Sequence, residues 1–392
     1  MNADFPSWPH YDQDEIDAVA QVLRSGKVNY WTGDQGRCFE REFADYIGCR
    51  YGIALANGTV ALEAALHALS IGPGDEVIVP TRTFIASASC VAMRGARPVV
   101  ADVDSESGNI TTETIEKVRT PQTKAVIAVH LGGWPCDMDT IMAYAREHGL
   151  KVIEDCAQAH GAEYKGRKAG SFGDAAAFSF CQDKIMSTGG EGGMLVTNSE
   201  KIRKKVWSVK DHGKDYELVR EPCPESGFRW LHHSFGTNWR MTEMQAAIGR
   251  IQLKKLPLWL EQRRTNALAL FGALRGVPGL AIPTIPSHIN PAFYRAYVFV
   301  EPSKLKSTWN RDRIIREIDR QGVPRSYGSC CEIYREQAFV HAGYSPDQPL
   351  AVARLLGDTF MCFSVHPGLE TLHMEKIAST VCRVMEEAAE TC

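Results

Sequence analysis

Two residues, Asp155 and Lys184, are of types suited to catalysis and lie in unusual surroundings in this sequence. Asp155 ends the apolar run KVIED, and Lys184 follows AAAFSF and precedes the small-residue stretch STGGEGG. A carboxylate at such a strand end can keep a pyridine nitrogen protonated. A partly desolvated lysine amine nearby becomes an imine former and a general base. The pair predicts a pyridoxal 5'-phosphate (PLP) site for amino-group transfer, in which Lys184 forms the Schiff base and Asp155 faces the pyridine nitrogen.

Five further residues are predicted to hold the phosphate and the ring of this cofactor. Gly58 and Thr59, in ANGTVA, follow a strand and open a helix, where free N–H groups and the helix dipole favour an anion. Ser179 is placed to reach the phosphate with its hydroxyl. Gln158 is predicted to contact the phenolic oxygen of the ring, and Phe84 is predicted to stack on a ring face.

Each of these residues also has an ordinary structural interpretation when taken alone. The Gly58-Thr59 turn is consistent with a plain N-capped helix, Phe84 with a core aromatic and Lys184 with a solvated surface charge. His160 could orient its neighbours in the site, although a satisfied structural histidine is the simpler interpretation. The predicted cofactor site therefore depends on the combination and on the elements that bring the residues together.

Short β-branched runs alternate with amphipathic segments from about residue 51 onward, including EVIVP, RPVVADV, KAVIAVH and KVIED. This alternation predicts βαβ units and an α/β fold with a mostly parallel, buried sheet between helices. A long helical pattern runs from Met241 toward Leu274 and is expected to break or kink around Pro257. We predict a large cofactor-binding domain over 1–250, with an N-terminal helical segment, and a smaller α+β domain over 251–392.

The bulk composition excludes some partners and compartments. The 392 residues carry a formal net charge of −3, so neither nucleic acid nor an anionic membrane is an expected partner. The N-terminus lacks the basic start and apolar core of a signal peptide, and the twelve cysteines contain no CxxC pair. We expect a cytoplasmic protein with reduced thiols and no metal site.

The ordered motifs of the chain resemble those of the DegT/StrS family of PLP-dependent sugar aminotransferases, within the aspartate aminotransferase fold type (fold type I). The matching segments are GKVNYWTGDQGRCFEREFADYIG, ANGTVALEAAL, GDEVIVPTRTFIASA, VHLGGWPCDMD, EDCAQAHGAEYKGRKAGSFGDAAAFSF and GTNWRMTEMQAAIGRIQL. The resemblance implies the same cofactor roles as the residues themselves: Lys184 and Asp155 at the reacting ring, Gln158 and Phe84 around it, and Gly58, Thr59 and Ser179 at the phosphate.

The resemblance also implies contacts that the residues alone do not suggest. Asn238, in the GxNxRM motif, would reach the phosphate held by a neighbouring subunit, which implies a homodimer with shared active sites. Contacts to the sugar or its nucleotide are expected from Tyr30, Trp31, His160, Arg325, Tyr327 and His366.

Three departures from the family pattern are expected to lie near the substrate. The stretch GVPRSYGSCCEIY differs from a more frequent pattern that contains a histidine-tyrosine pair. Gly132 stands in VHLGGW where the family often has tyrosine, and Gln182-Asp183 precedes the lysine where asparagine or threonine is common.

The function that follows is transfer of an amino group from glutamate or glutamine to a nucleotide-linked keto-sugar. The product would be an aminodeoxy sugar for a surface polysaccharide or a secondary-metabolite glycan. One alternative is a PLP-dependent sugar dehydratase, which would carry histidine in place of Lys184. Another is a regulatory or weakly catalytic PLP-binding protein of the same fold. A flavodoxin-like or Rossmann nucleotide binder also fits the alternation, but no GxGxxG follows the first strand.

Overall fold

The computed structural model describes residues 5–222, 228–324 and 328–390. The strands are β1 (Tyr51–Leu55), β2 (Glu76–Pro80), β3 (Arg97–Ala101), β4 (Thr123–Val129), β5 (Lys151–Asp155), β6 (Glu163–Tyr164), β7 (Arg167–Lys168), β8 (Ala175–Ser179), β9 (Gly193–Thr197), β10 (Leu280–Ala281), β11 (Ile289–Asn290), β12 (Ala296–Val300) and β13 (Phe360–Phe363). The α-helices are α1 (Gln13–Ser25), α2 (Gln35–Ile47), α3 (Gly58–Ala68), α4 (Ala86–Met93), α5 (Thr112–Glu116), α6 (Met138–Glu147), α7 (Glu200–Lys210), α8 (Glu243–Leu274), α9 (Arg311–Arg320), α10 (Gln337–Ala342), α11 (Ala351–Thr359) and α12 (Thr371–Ala388).

The central sheet has seven strands in the order β1-β9-β8-β5-β4-β2-β3. The pairs β8-β5, β5-β4, β4-β2 and β2-β3 are parallel, whereas β9 is antiparallel to both of its neighbours. Both faces of the sheet are covered, because alternate residues of one strand enter different cores. In β4, Val126 and Ala128 join one apolar cluster, whereas Ile127 and Val129 join another. The predicted mostly parallel sheet between helices is confirmed.

The parallel strands end at one edge of this sheet, where open α/β sheets bind their ligands. Strand β5 ends at Asp155 and β8 ends at Ser179. Strand β1 runs antiparallel to β9 and is followed by Asn57, which begins α3. The residues predicted from distant parts of the sequence therefore reach the same edge.

A second sheet of three antiparallel strands, β10-β12-β13, lies in the C-terminal part of the chain. Its core includes Val298 and Met361 from the strands, Leu270 from α8 and Val381 from α12. Phe5, near the N-terminus, packs against the same core. The predicted boundary at residue 250 falls inside α8, so it stays a prediction.

Helix α8 is continuous from Glu243 to Leu274 and contains Pro257. The expected break at this proline does not occur, whereas a kink there stays a prediction. The helix starts on a capping box, in which the Thr242 side chain and Gln245 satisfy each other's backbone N–H groups. The helix has buried residues before the proline, at Leu253 and Leu256, and after it, at Ala267 and Leu270. We attribute its continuity to this packing, which outweighs the one backbone hydrogen bond that proline removes.

In the described parts of the chain, no helix combines the length and the apolar character that a bilayer crossing requires.

Candidate active site

A cavity of about 780 Å³ opens at the carboxyl edge of the central sheet. It gathers the predicted cofactor residues of a single chain, with the exception of Asn238. These are Gly58, Thr59, Phe84, Asp155, Gln158, Ser179 and Lys184. Tyr294 and Arg295, just before β12, close the cavity from the side of the smaller sheet.

Asp155 is buried at the end of β5, and both of its carboxylate oxygens are oriented by hydrogen bonds. The Ser87 hydroxyl donates to Oδ2 at 2.7 Å, and the backbone N–H of Ala157 donates to Oδ1 at 3.1 Å. Burial raises the pKa of the Asp155 carboxyl, and the Ser87 hydrogen bond opposes that rise. No ion pair to Asp155 exists among the described residues, so a cationic ring nitrogen fits this buried acid.

The start of α3 lies against the end of β8 in a geometry suited to bind an anion. The Asn57 side chain caps the helix by accepting from the backbone N–H of Val60 at 3.0 Å. Gly58 lies so close to β8 that a Cβ there would be 2.7 Å from the Cβ of Ser179. The helix has eleven residues, and its free N–H groups and dipole favour a phosphate beside the Ser179 hydroxyl.

Lys184 lies at the other side of the cavity with its side chain 17% exposed. Its Nζ is 3.2 Å from Oδ1 of Asp183 and 5.1 Å from the ring centroid of Tyr294. The Tyr294 hydroxyl donates to the other carboxylate oxygen of Asp183. The indole N–H of Trp8 donates to the Lys184 carbonyl at 2.8 Å. The amine is thus contacted by the neighbouring Asp183 and by Tyr294, whereas Trp8 holds the backbone of the lysine.

Gln158 and Phe84 flank the cavity between these two ends. The backbone N–H of Gly132 donates to Oε1 of Gln158 at 2.7 Å, and Nε2 of Gln158 donates to the Ser329 hydroxyl at 3.2 Å. Phe84 is 67% exposed although it is a large aromatic residue. An exposed ring on a cavity wall is free to stack on a ligand, as predicted for a ring cofactor.

Tyr30, His160 and His366, three of the predicted substrate contacts, do not line this cavity. His160 is fully buried between the rings of Phe178 and Phe180, and burial lowers its pKa to about 3. His366 stacks on Trp8, and burial lowers its pKa to about 3 as well. Tyr30 is 4% exposed, and its hydroxyl donates to Glu40 at 3.2 Å. In the single chain these three side chains pack the interior and have no access to the cavity.

Trp31 and Asn238 lie together on the outside, away from the cavity of their own chain. The Trp31 indole N–H donates to Asp211 at 2.8 Å, and Asp211 forms an isolated β-bridge with Asn238. Asn238 is exposed. Arg325 and Tyr327, the remaining predicted contacts, lie outside the described residues.

Sequence reasoning missed several residues that hold the site together. Asn57 carries a local signal, since asparagine before a Gly-Thr helix start is a favoured N-cap. Ser87 lies one turn beyond Phe84 and could have been found from that spacing. Tyr294, Arg295 and Ser329 carry no such signal, because they reach the cavity only through the packing of the two sheets.

The residues present fit PLP. A buried carboxylate suits the pyridine nitrogen, a glycine-opened helix start suits the phosphate, and a mostly buried lysine lies in the same cavity. The 780 Å³ of the cavity also leaves room for a substrate.

Comparison with known proteins gives the same result over nearly the whole chain. The model of the DegT/DnrJ/EryC1/StrS aminotransferase family matches residues 9–382. A UDP-N-acetyl-3-dehydro-alpha-D-glucosamine 3-aminotransferase of Acidithiobacillus ferrooxidans is 36% identical, with 95% of this chain and 94% of that protein covered. The GDP-perosamine synthase of Caulobacter vibrioides is also 36% identical, with 96% and 97% covered.

Solved structures agree with this result. An aminotransferase from Psychrobacter cryohalolentis is 52% identical, with a TM-score of 0.96 and coverage of 98% of this chain and 99% of that one. DesV of S. venezuelae, solved with a ketimine intermediate, is 33% identical, with a TM-score of 0.85 and coverage of 95% and 94%. The predicted fold and enzyme class are confirmed. The chain belongs to the DegT/DnrJ/EryC1/StrS aminotransferase family, whose members are PLP-dependent enzymes.

Proposed function

We propose that this aminotransferase moves an amino group from glutamate or glutamine to a nucleotide-linked keto-sugar and so produces an aminodeoxy sugar. The observation that carries the proposal is Lys184 in one cavity with the buried Asp155. The two relatives at 36% identity support the substrate class, since a nucleotide-linked sugar appears in the name of each. A dehydratase is disfavoured, because the position of the Schiff base is occupied by lysine.

When bound, PLP supplies an electron sink beside the reacting carbon. The chain's part at the ring is to fix its charge and orientation. Asp155, oriented by Ser87 and Ala157, would hold a proton on the ring nitrogen through a charged hydrogen bond. Gln158, oriented by Gly132, would contact the phenolic side. The α3 N-terminus and Ser179 would bind the phosphate.

Lys184 would exchange nitrogen with the amino donor and then move a proton at the reacting carbon. Its amine must be free of a proton at that moment and close to the carbon. Asp183 and Tyr294 orient Nζ, and the Trp8 hydrogen bond fixes the backbone of the lysine. These contacts restrict the amine to one side of the cavity.

We further propose a homodimer in which Asn238 reaches the phosphate of the partner's site. Asn238 is exposed and follows a segment with an unusual aromatic surface. Phe228, Trp230 and Phe235 are 78%, 80% and 101% exposed. Aromatic side chains concentrated on a surface are typical of protein interfaces, and a second copy of this chain would cover them. A cytoplasmic location and a role in polysaccharide or glycan synthesis belong to the same proposal.

Absorption spectroscopy and mass spectrometry test this function together. The PLP-loaded protein is expected to show imine absorbance that changes on adding glutamate, and to aminate one member of a panel of nucleotide-linked keto-sugars. Lys184→Ala should retain some PLP and lose turnover. Lys165→Ala, at an exposed lysine paired with Asp139, should behave as wild type. Multiple turnover by Lys184→Ala would overturn the assignment.

A further inference from the structure

Arg82 is a buried cation without an acidic partner. It follows β2 and is 3% exposed. Its guanidinium carbon lies 4.8 Å from the ring centroid of Tyr297 and 5.6 Å from that of Phe360. Within the described residues, Nε and Nη2 have no hydrogen-bond partner and no carboxylate forms an ion pair with Arg82. Burying a charge in this way is costly unless an anion binds to it.

Arg82 lines a small cleft between the two sheets, next to the active-site cavity. The cleft has a volume of about 40 Å³ and is also lined by Gly132, Trp134, Arg295 and Tyr297. This volume admits a group of a few atoms but not a sugar ring. Arg295 lines both the cleft and the active-site cavity, so the two spaces adjoin at this side chain.

Gly132 makes the arrangement possible. Its φ is 65°, and a Cβ there would lie 2.7 Å from Cε2 of Tyr297. A larger residue would displace the Tyr297 ring, and Arg82 packs against that ring. The cleft therefore depends on the glycine that stands where a tyrosine is frequent in the family.

Arg295 lines the cleft and also lies near Lys184, whose amine would react. Its guanidinium carbon lies 5.0 Å from the ring centroid of Tyr294, and Nζ of Lys184 lies 5.1 Å from the same centroid. The Ser364 hydroxyl accepts one N–H of the Arg295 fork at 2.7 Å. An amino acid that exchanges its nitrogen at Lys184 would thus have its far end near Arg295.

Glutamate places a second carboxylate a few carbon atoms beyond its nitrogen, whereas glutamine places a neutral amide there. A carboxylate can accept from two guanidinium groups at once, and an amide would leave their charge uncompensated. Glu106, the acidic residue that lines the cleft, is exposed and forms no ion pair with either arginine in the described structure.

We propose that Arg82 and Arg295 form a binding site for the side-chain carboxylate of the amino donor, which selects glutamate over glutamine. The proposal rests on the proposed function for the identity of the reaction. Neither arginine is assigned a contact with PLP, so the role proposed for both is selection of the amino donor.

The first test compares donors in the half-reaction that loads nitrogen onto the PLP-bound enzyme. Wild type is expected to prefer glutamate, and Arg82→Met should lower kcat/KM for glutamate by roughly ten- to a hundred-fold, as expected for a hydrogen bond between charged groups. The value for glutamine should change little. Because the substitution removes an unpaired buried charge, Arg82→Met should unfold at the same temperature as wild type or higher.

Arg311→Met is the matched control. Arg311 also packs against Phe360, with its guanidinium carbon 5.3 Å from the ring centroid, but it pairs with Asp312 at 2.8 Å. This variant should keep the wild-type preference for glutamate. An unchanged preference in Arg82→Met would overturn the proposal, and so would a change confined to the KM of the keto-sugar.

A second measurement separates this site from the proposed function. Glutarate has both carboxylates of glutamate but no amine, so it can bind without reacting. It is expected to raise the unfolding temperature of the wild-type holoenzyme and to have a much smaller effect on Arg82→Met and on Arg295→Met. If wild type transfers nitrogen from neither donor, the proposed function fails. The change in unfolding temperature with glutarate still shows whether the cleft binds a carboxylate. Equal shifts in all three proteins would exclude the carboxylate site.

Discussion

Asp155 illustrates how neighbours from another element orient a single side chain in the way its proposed role requires. The hydroxyl of Ser87, from α4, donates to Asp155 at 2.7 Å, and burial by the surrounding core raises the pKa of the same carboxyl. The two effects oppose each other, and the ionised form is the one that can hold a proton on a ring nitrogen.

Ser87→Ala should therefore weaken the enzyme in a pH-dependent way. Loss of the hydroxyl lets burial raise the pKa of Asp155 further, so the acid limb of the kcat profile should move to higher pH. We expect PLP affinity to fall several-fold, as is usual for a lost hydrogen bond to a charged group. Ser89→Ala, in the same helix, is the control. Identical pH profiles for the two variants would contradict the role assigned to Ser87.

A separate prediction concerns His160 and the pH dependence of the free energy of unfolding. Its folded pKa of about 3 lies below the ordinary value of about 6.5, so between these values the unfolded chain binds a proton that the native state excludes. Native stability is thus lost as pH falls below about 6.5, at about 1.4 kcal/mol per pH unit for a full histidine. His160→Leu should flatten this slope in urea unfolding between pH 7 and pH 5. Parallel slopes would show that His160 does not titrate in this way.

At the scale of elements, the proposed phosphate site is formed where helix α3 begins beside the end of strand β8. Asn57 was not predicted, although it caps α3 and so fixes where the free N–H groups point. Gly58 was predicted for its backbone freedom. The structure adds that its missing side chain is what lets α3 approach Ser179.

Gly58→Ala should consequently reduce PLP affinity by about tenfold or more, because the new Cβ would meet Ser179 at 2.7 Å and must push α3 or β8 aside. Equilibrium PLP binding to the apoenzyme measures this effect. Gly272→Ala is a matched control within α8, where a Cβ meets nothing within 4 Å. It should leave PLP affinity unchanged and stabilise the fold by about 0.5–1 kcal/mol. Unchanged affinity in Gly58→Ala would show that the close approach of α3 to Ser179 does not contribute to PLP binding.

At the scale of the whole molecule, the proposed shared active site predicts complementation between two inactive chains. Lys184→Ala lacks the amine, and Asn238→Asp would bring a negative charge toward the partner's phosphate. A mixed dimer would retain one intact site, with lysine from one chain and asparagine from the other. Co-expression should restore about a quarter of the wild-type activity if chains pair at random as a twofold dimer.

The control replaces the Asn238→Asp chain with a chain that carries both substitutions, which leaves no intact site in any pairing. It should show no recovery. Absence of recovery in the mixed dimer, with dimer formation verified by mass, would place Asn238 outside the partner's site.

The sequence by itself determined the α/β architecture and the family, and it predicted the residues of one chain that line the candidate cofactor cavity. Hydrophobic periodicity and local motifs carry this information, and strands that end at one sheet edge bring Gly58, Asp155 and Ser179 together. It did not determine that α8 runs through Pro257, because packing along the helix outweighs a local propensity.

Only the tertiary structure decided which polar residues face the cavity. His160 and His366 turn into the interior, whereas Tyr294 and Arg295 arrive from beside β12. The physical reason is that burial and charge pairing depend on neighbours distant in sequence. In the sequence TRTF, Arg82 would be expected at the surface. It is buried against the rings of Tyr297 and Phe360 only because the smaller sheet packs beside the central one.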